Sequence, residues 1–447
     1  MAASSTTVDF TARRRHPELV APAGPTPRGL RRLSDIDDQD SFRFYRSVIY
    51  FYRSGGGGGG VDPARVIRDA LAAALVHYYP IAGRIRELPG RKLVVDCTGE
   101  GVSFVEADAD VALEEFGDVL CPPIPCAGEL LSLPESNSAV VTNRPLLYVQ
   151  VTRLKCGGFV FGTQICHNLV DAAGITQFLQ AVGELAKGMA VPSVRPVWAR
   201  ELFDARDPPR PAFDHPEYEP ASDVGNDRLR PGDELVHRRF LFGPGDIAAL
   251  RHQLSPPARL RTPCSRFLLL SAFTWRCRTA ALGYAPGDEV RFMFVVNVRG
   301  RRTPPLPEGF YGNALTFGVA RTTAGELCSG TLSRAVELVA AARARAMDDG
   351  YAQSVADTLV LRGRPRFTTA RTYLVTDLTK SRLHEVDLGW GKPLFGGPAT
   401  TTLATFHMPA GGGAIAVPMC LPPRAMERFA AAVRAGLAAE TVVLSKM

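Results

Sequence analysis

The sequence predicts an α/β protein, of mixed α+β type, that folds as two lobes. Its 447 residues are enough for two ordinary domains, or for one large domain made of two lobes. Strand patterns alternate with helix patterns in both halves, and a stretch dense in Pro, Asp and Arg separates the halves. We therefore expect an N-terminal lobe over residues 1–195, a crossover linker over 196–234, and a C-terminal lobe over 235–447.

In the first half, a helix is expected ahead of four strands. Asp62 occupies an N-cap position, Pro63 follows at the first helical position, and apolar residues recur at helical spacing up to residue 78. A second helical pattern begins at Ala172, directly after the strands. The predicted strands are KLVVDC (92–97), GVSFVEA (101–107), LLYVQVTRL (146–154) and GGFVFGTQIC (157–166).

The second half repeats this alternation. Strands are predicted for LVHRRFLF (235–242) and VRFMFVVNVR (290–299), because both are rich in β-branched and aromatic residues. Helical spacing predicts three helices, over 244–254, over 265–282, and a long one over 325–348.

The composition argues against several classes of protein. The net charge is +7, but the Arg clusters are short, widely separated and not interleaved with aromatic residues, which disfavours a nucleic-acid role. The nine cysteines form no CxxC pair, which indicates free thiols in a reducing compartment and no metal site. We also expect no membrane span, because no apolar run is long enough.

The segment CHNLVD, residues 166–171, holds the candidate site. His167 closes the strand pattern of 157–166, and Asp171 lies where the next helix begins. An aspartate there can accept backbone N–H groups or pair with an arginine, whereas the histidine projects from the end of a sheet. This pair is either the chemistry of an active site or a satisfied polar patch at a strand end.

An H-x-x-x-D pair is weak by itself, because it arises easily by chance in a chain with eight histidines. A second histidine suited to a metal site is missing, and so is the G-x-S-x-G of a serine hydrolase. Cys166 is a rival nucleophile, although strand alternation points it to the opposite face from His167. These residues alone leave a structural histidine as an open alternative.

Six segments follow one another along the chain: YYPIAGRI (78–85), HNLVDAAG (167–174), FLLLSAFTWRCR (267–278), NVRGR (297–301), YGNA (311–314) and DLGWGKP (387–393). In this order they resemble the plant acyl-CoA-dependent acyltransferases of the BAHD family. The resemblance covers nearly the whole chain. Within the family, RGRPRFTTARTYLVTDLTK (362–380) and CLPPRAMERF (420–429) resemble the branch that contains benzyl alcohol O-benzoyltransferases and hexenol acetyltransferases. Leu388 departs from the family by replacing the Phe of D-F-G-W-G.

The resemblance implies a fold similar to that of chloramphenicol acetyltransferase, with a central solvent channel between the lobes. It implies that His167 is the general base and that no covalent acyl-enzyme forms. Acyl-CoA is then a co-substrate, an alcohol is the acceptor, and no cofactor is bound permanently. We expect a monomer.

The same resemblance assigns architectural roles to other residues. Asp171 is expected to pair with an arginine, and Asp387 to be a structural ion-pair partner for which Arg299 is the candidate. A second proton acceptor is the alternative for Asp387, and a triad-like orienting role is the alternative for Asp171. The turn residues are expected to shape the wall near the CoA channel; they are Leu388, Gly389, Trp390 and Gly391.

The expected reaction joins benzoyl-CoA and benzyl alcohol into benzyl benzoate, a step in benzoate or salicylate metabolism. The alternatives are acetyl transfer to a medium-chain or aromatic alcohol, and a non-catalytic binding protein on the same fold. The final tripeptide, Ser445-Lys446-Met447, resembles the peroxisomal address S-K-L. It predicts a peroxisomal import receptor as a partner and a peroxisomal location, with the cytosol as the alternative.

Overall fold

The computed structural model has sixteen strands and eight α-helices in the residues it describes, which are 8–55, 60–117, 120–133, 140–220, 229, 233–254, 264–401 and 404–438. The strands are β1 Ala12–Arg14, β2 Glu18–Val20, β3 Leu30–Arg32, β4 Tyr45–Tyr52, β5 Arg84–Glu87, β6 Leu93–Asp96, β7 Val102–Ala109, β8 Leu147–Leu154, β9 Phe159–Cys166, β10 Val236–Phe242, β11 Glu289–Asn297, β12 Leu315–Thr323, β13 Thr372–Asp377, β14 Phe395–Pro398, β15 Ala404–Pro409 and β16 Ile415–Leu421. The helices are α1 Pro63–His77, α2 Ala172–Ala186, α3 Pro244–His252, α4 Arg266–Leu282, α5 Ala324–Ser329, α6 Leu332–Ala346, α7 Tyr351–Leu361 and α8 Pro423–Ala438.

These strands form three sheets. The first has seven strands in the order β1-β7-β8-β9-β4-β14, with β2 also paired to β7. The second has six strands in the order β10-β16-β15-β13-β11-β12, and a small third sheet has the order β3-β6-β5. Helices α1 and α2 share an apolar core with the first sheet, and α3 to α8 share another with the second sheet. The expected mixed α/β architecture is confirmed.

The local predictions hold where the sequence carries a clear start or stop. Helix α1 begins at Pro63, and Asp62 caps it by accepting a hydrogen bond from the amide of Ala64. The predicted strands of the first half all form, within two or three residues of the expected bounds. Strand β9 is buried at every position, and it ends directly before His167.

The single helix predicted over 325–348 is wrong. The structure has two helices there, because α5 ends at Ser329 and α6 begins after Thr331. The hydroxyl of Thr331 accepts a hydrogen bond from the amide of Arg334, which is the geometry of a new N-cap. The apolar spacing continues across the break, so periodicity alone did not reveal it.

Strand β14 connects the two halves of the sequence. It comes from residues 395–398, within the stretch assigned to the C-terminal lobe, but it pairs antiparallel with β4 of the first sheet. In the expected linker, Arg200–Phe203 and Pro216–Tyr218 form short 3₁₀ turns, and several of their side chains are buried. The lobe boundaries and the central channel therefore remain predictions. Strand β14 is contributed to the first sheet by the stretch that was assigned to the C-terminal lobe.

Candidate active site

His167 follows the last residue of β9, and its backbone is fixed to a neighbouring segment. Its amide donates a hydrogen bond of 2.9 Å to the carbonyl of Phe44, which precedes β4. Residues 159–166 are buried throughout, so the strand that carries His167 is anchored in the core of the first sheet. The predicted position of the histidine, at the end of a buried strand, is therefore correct.

The imidazole of His167 lies between two aromatic rings. The ring of Phe42 stacks on it with centroids 4.5 Å apart and 14° between the planes. The ring of Phe44 meets it edge-on, with centroids 5.1 Å apart. The imidazole is partly exposed, and its Nδ1 has no hydrogen-bond partner among the described residues. The ring is thus oriented by apolar contacts, which leave this nitrogen free of hydrogen bonds.

The surroundings keep this imidazole neutral. Burial, and to a smaller extent the nearby positive charge of Arg46, lowers the pKa of His167 from its usual 6.5 to about 4. Asp171 and Asn313 act in the opposite direction but do not cancel the shift. At pH 7 the side chain is therefore unprotonated, as a general base must be before it takes a proton.

Asn313 ties the histidine to a buried carboxylate. Its Nδ2 donates hydrogen bonds of 2.8 Å to the carbonyl of His167 and of 2.8 Å to Oδ1 of Asp37. Asp37 is fully buried and also accepts a hydrogen bond of 2.9 Å from Arg200. Sequence reasoning missed Asp37 and Arg200 and gave Asn313 no role, although the segment YGNA that contains it was noted.

Asp171 both caps α2 and pairs with an arginine, which are the two roles expected from its position at the start of the helix. It caps α2 by accepting from the amide of Gly174 at 2.9 Å, and it accepts from the amide of Ala314 at 3.0 Å. It also receives both terminal nitrogens of Arg299, at 2.6 and 2.9 Å. Burial alone would raise the pKa of this carboxyl, but Arg299 and the amides outweigh burial and lower it. Asp171 therefore joins α2 to the segment 311–314 as a charged group.

The pairing predicted between Arg299 and Asp387 is wrong. Arg299 is committed to Asp171, and it donates a further hydrogen bond of 2.6 Å to the carbonyl of Gly312. Asp387 instead pairs with Lys187, at 3.2 Å. A side chain at Gly174 would also disturb this region, because its Cβ would lie 2.1 Å from the carbonyl oxygen of Tyr311.

Asp387 organises the turn that follows it. Its Oδ1 accepts hydrogen bonds of 2.9 Å from the amides of both Gly389 and Gly391. Both glycines have positive φ, +106° and +81°, which favours glycine at each position. Burial raises the pKa of Asp387, but these amides and Lys187 lower it overall. This carboxylate is therefore structural and remains charged.

The turn lies far from His167. Trp390 packs edge-on against Phe159, at the start of β9, whereas His167 follows the end of β9. Seven strand steps separate these two ends, roughly 23 Å. The carbonyl of Asp387 lies against Gly183, twelve residues along α2 from Asp171, which corresponds to about 18 Å. These distances place Asp387 and the turn 388–391 well away from His167. They contradict the alternative in which Asp387 is a second proton acceptor.

Leu388 fills an apolar site in this turn. It is fully buried in the same core cluster as β9 and α2, and Trp390 packs against that cluster from outside. An aliphatic side chain meets no polar partner there, so the change from Phe leaves no unpaired group. Its role is packing.

Cys166 is unsuited to nucleophilic attack. Its side chain is fully buried in the apolar core of the first sheet, on the other side of the strand from the site. Burial raises the pKa of this thiol to about 12, so the thiolate is absent at neutral pH. The geometry favours the histidine over the cysteine as the reactive group.

An apolar, aromatic cluster adjoins the base. Phe42, which stacks on His167, also packs against Phe317 at 6.2 Å, and Phe317 packs against Phe367 at 5.0 Å. This aromatic cluster is drawn from the segment before β4 and from the second sheet. Its members are Phe42, Met293, Leu315, Phe317, Val319, Leu374 and Ala404, with Val295 and Phe367 packed against them.

Two classes of site find no support in the described ranges. No group of three or more His, Cys, Asp or Glu side chains is arranged there to hold a metal ion. Within those same ranges, no helix combines the length and the apolar character needed to cross a bilayer.

The fold and the site place a neutral histidine in contact with residues from both halves of the chain. The family model described as "Transferase family" matches residues 10–435. The chain belongs to this family, and it is an acyltransferase. The BAHD resemblance predicted from the motifs is thereby confirmed.

Relatives and solved structures agree with this assignment. The chain is 51% identical over 431 residues to a benzyl alcohol O-benzoyltransferase of Nicotiana tabacum, covering 94% of this chain and 92% of the relative. It is 45% identical over 427 residues to "Alcohol acyl transferase 1 allele GSa" of Malus domestica, covering 93% of this chain and 92% of the relative. Vinorine synthase has the same fold, with a TM-score of 0.73 at 23% identity over 94% of this chain and 96% of that one.

Proposed function

We propose that this enzyme transfers the benzoyl group of benzoyl-CoA to benzyl alcohol, giving benzyl benzoate and CoA. The observation that carries the proposal is the aromatic cluster against a neutral imidazole, with Phe42 stacked directly on His167. Benzyl alcohol and benzoyl groups are flat and apolar, so this cluster suits both. The name of the tobacco relative supports the same pair of substrates.

The reaction needs one base and no covalent intermediate. A ring nitrogen of His167 takes the proton of the alcohol as its oxygen attacks the thioester carbon, a contribution of roughly 10²–10⁴ in rate. The C–O bond then forms, the C–S bond breaks, and the imidazolium returns its proton to the thiolate of CoA. Because Cys166 is buried as a thiol, the acyl group passes directly from one substrate to the other. Acyl-CoA acts as a co-substrate and leaves as CoA.

An aromatic donor gains more from this site than an acetyl donor. Apolar burial stabilises a bound group by roughly 25 cal/mol per Å², so a phenyl ring gains several times what a methyl group gains. Ring contacts with Phe42 and Phe317 add about 0.5–1.5 kcal/mol for each good pair. The second candidate, acetyl transfer to a medium-chain or aromatic alcohol, is supported by the similarity to the Malus alcohol acyltransferase.

A competition assay tests the donor. Equal benzoyl-CoA and acetyl-CoA are supplied with excess benzyl alcohol, and we expect benzyl benzoate to dominate. Phe42→Leu should shift the product ratio toward benzyl acetate, because it removes the stacked ring. Phe116→Leu is the matched control, since Phe116 is similarly buried between two aromatic rings but belongs to another core cluster. Dominant benzyl acetate from the wild type would refute benzoyl-CoA as the donor.

Thiol release separates an enzyme from a binding protein on the same fold. The wild type should accelerate the release of free CoA from benzoyl-CoA only when benzyl alcohol is present. Release that is independent of the alcohol would indicate hydrolysis, and no release with any alcohol would support the binding protein.

We also propose a peroxisomal location and a role in benzoate or salicylate metabolism. The support is the tripeptide Ser445-Lys446-Met447, which lies outside the described residues. An import receptor would be the partner that reads it. A fluorescent protein fused ahead of the chain should give punctate signal, whereas a fusion that masks the tripeptide should remain cytosolic. Diffuse signal from both fusions would contradict the proposal.

A further inference from the structure

Arg46 is a charged side chain without a charged partner beside the active site. It is the second residue of β4, opposite Ile165 of β9, and most of its surface is withdrawn from solvent. Its guanidinium carbon lies 4.9 Å above the ring of Phe44. Among the described residues, no carboxylate pairs with it and no acceptor receives its N–H groups.

Two other arginines with little exposure are paired with carboxylates, whereas Arg278 stacks on the ring of Tyr373. Arg200 pairs with Asp37 at 2.9 Å, and Arg299 pairs with Asp171 at 2.6 Å. Keeping a charge partly out of water without a carboxylate beside it has a cost, because part of its hydration is lost. Burial lowers the pKa of Arg46 to about 10, so the guanidinium is still charged at pH 7. A permanent cation is therefore kept in an environment that favours an anion next to it.

Arg46 lies close to His167, where the reacting groups of both substrates are proposed to meet. One side of the Phe44 ring faces its guanidinium, and the same ring contacts the imidazole of His167 with centroids 5.1 Å apart. Arg46 also contributes to the lowered pKa of His167, which requires the two groups to be close. The ring of Phe44 thus lies between the guanidinium of Arg46 and the imidazole of His167, and the aromatic cluster is adjacent to that imidazole.

We propose that Arg46 binds a carboxylate carried by a substrate, either on the alcohol or on the acyl group. The inference rests on the proposed function, because that function places both substrates beside His167. A guanidinium presents parallel N–H groups that match the two oxygens of a carboxylate, and it also stacks on an aromatic face, as it does on Phe44. Beyond benzoyl-CoA and benzyl alcohol, the substrates that Arg46 would favour are therefore carboxylated, preferably aromatic, alcohols or acyl-CoA thioesters.

The phosphates of CoA are a less suitable partner for Arg46. During transfer the thioester carbon must lie at the base, and the extended pantetheine arm then holds the phosphates far from it. A carboxylate at the other end of a benzenoid substrate lies only one ring away from the reacting group, which matches the separation of Arg46 from His167.

The experiment measures discrimination between matched neutral and anionic substrates. In one arm, benzoyl-CoA is used with benzyl alcohol and with 4-(hydroxymethyl)benzoate; in the other, benzyl alcohol is used with valeryl-CoA and with succinyl-CoA. Each ratio of kcat/KM, anionic over neutral, is compared between wild type, Arg46→Met and Arg46→Gln. Arg31→Met is the matched control, because Arg31 also lies over an aromatic ring, that of Tyr79, but is exposed on β3.

We expect the ratio to fall about 10- to 100-fold in both Arg46 variants in one arm, and to be unchanged in Arg31→Met. The arm in which it falls identifies the substrate that carries the carboxylate. An effect of Arg46 on the pKa of His167 alone would change both substrates of a pair equally and cancel in the ratio. Unchanged ratios in both arms would overturn the proposal.

A binding measurement separates this result from a failure of the proposed reaction. If benzoyl-CoA and benzyl alcohol give no product, the proposed reaction is wrong, and calorimetric titration with 4-(hydroxymethyl)benzoate and with succinyl-CoA then tests Arg46 directly. Weaker binding of either ligand to both Arg46 variants than to Arg31→Met supports the carboxylate site. Equal affinities of every variant for both ligands would overturn it.

Discussion

Replacing Asp171 with Asn tests whether this carboxylate is architectural. Asn still caps a helix about as well as Asp, so the contact with Gly174 survives. The pair with Arg299 does not, because Asn offers one acceptor and no charge to two guanidinium nitrogens at 2.6 and 2.9 Å. Asp171 is only 6% exposed, so the guanidinium loses a buried partner, and we expect the free energy of unfolding to fall by about 3–5 kcal/mol.

The same change should slow catalysis through the segment 311–314. Asp171 and Arg299 hold that segment by the amide of Ala314 and the carbonyl of Gly312, and Asn313 between them holds the carbonyl of His167. A displacement of the base by about 1 Å costs about 10²-fold in rate. We therefore expect kcat to fall about 10- to 100-fold, while the pKa read from the pH–rate profile changes little.

Asp62 supplies the matched control. It also caps a helix, α1, and pairs bidentately with an arginine, Arg153, at 2.6 and 2.7 Å, but its side chain is 40% exposed. Asp62→Asn should therefore cost only about 0–1 kcal/mol and leave kcat unchanged. Urea unfolding followed by circular dichroism, together with thiol-release kinetics, measures both quantities for each variant.

Two further results follow from the same geometry. Adding Arg299→Met to Asp171→Asn should recover part of the stability, because it removes the unpaired guanidinium. The pKa of Asp171 is lowered on folding, so its contribution is complete above its usual value of 3.8 and is lost as the pH falls through the lower folded pKa. Equal effects of Asp171→Asn and Asp62→Asn, or an inactive Asp171→Asn of normal stability, would refute this reasoning.

Three other predictions concern the base and the distant turn. His167→Ala should remove nearly all turnover with little change in the urea midpoint, and a near-normal kcat with benzyl alcohol would rule out the general base. The acidic limb of kcat/KM should lie near pH 4, where burial and Arg46 put the pKa of His167, and a limb near 6.5 would contradict that environment. Asp387→Asn should lower the free energy of unfolding by about 1 kcal/mol or less, because the pair with Lys187 is partly exposed, and it should leave the pH–rate profile unchanged. Loss of a limb from that profile would show that Asp387 is a proton acceptor after all.

Local patterns were sufficient where one segment contains all the necessary information. The strand pattern of β9, the capping Asp171 and the apolar face of α2 follow one another along the chain, so the position of His167 could be predicted from the sequence. Asp62 and Pro63 located the start of α1 in the same way. The break between α5 and α6 could not be located in this way, because only residues 330 and 331 separate the two helices and the apolar spacing continues across them.

Long-range pairing is the part that the sequence could not supply. Arg299 was identified as an ion-pair residue, but the chain has 52 Lys and Arg residues, and nothing local says which carboxylate each one meets. Asn313 and Asp37 are 276 positions apart, and each is an ordinary polar residue in its own segment. Arg46 stands out only because the fold stacks its guanidinium on Phe44, next to His167, which is a property of the tertiary structure.

The pairing of β14 with β4 has a consequence for how the enzyme is made. During synthesis on the ribosome, the other strands of the first sheet are complete long before residues 395–398 emerge. Until then the outer edge of β4 has no partner strand, and this edge includes Ile49, Tyr50 and Phe51, which are buried in the finished structure. The strand that finally covers this edge belongs to the last sixty residues. A fragment ending near residue 195 should therefore aggregate through that edge, and supplying the later half in trans should suppress the aggregation while completing the sheet that carries the catalytic histidine.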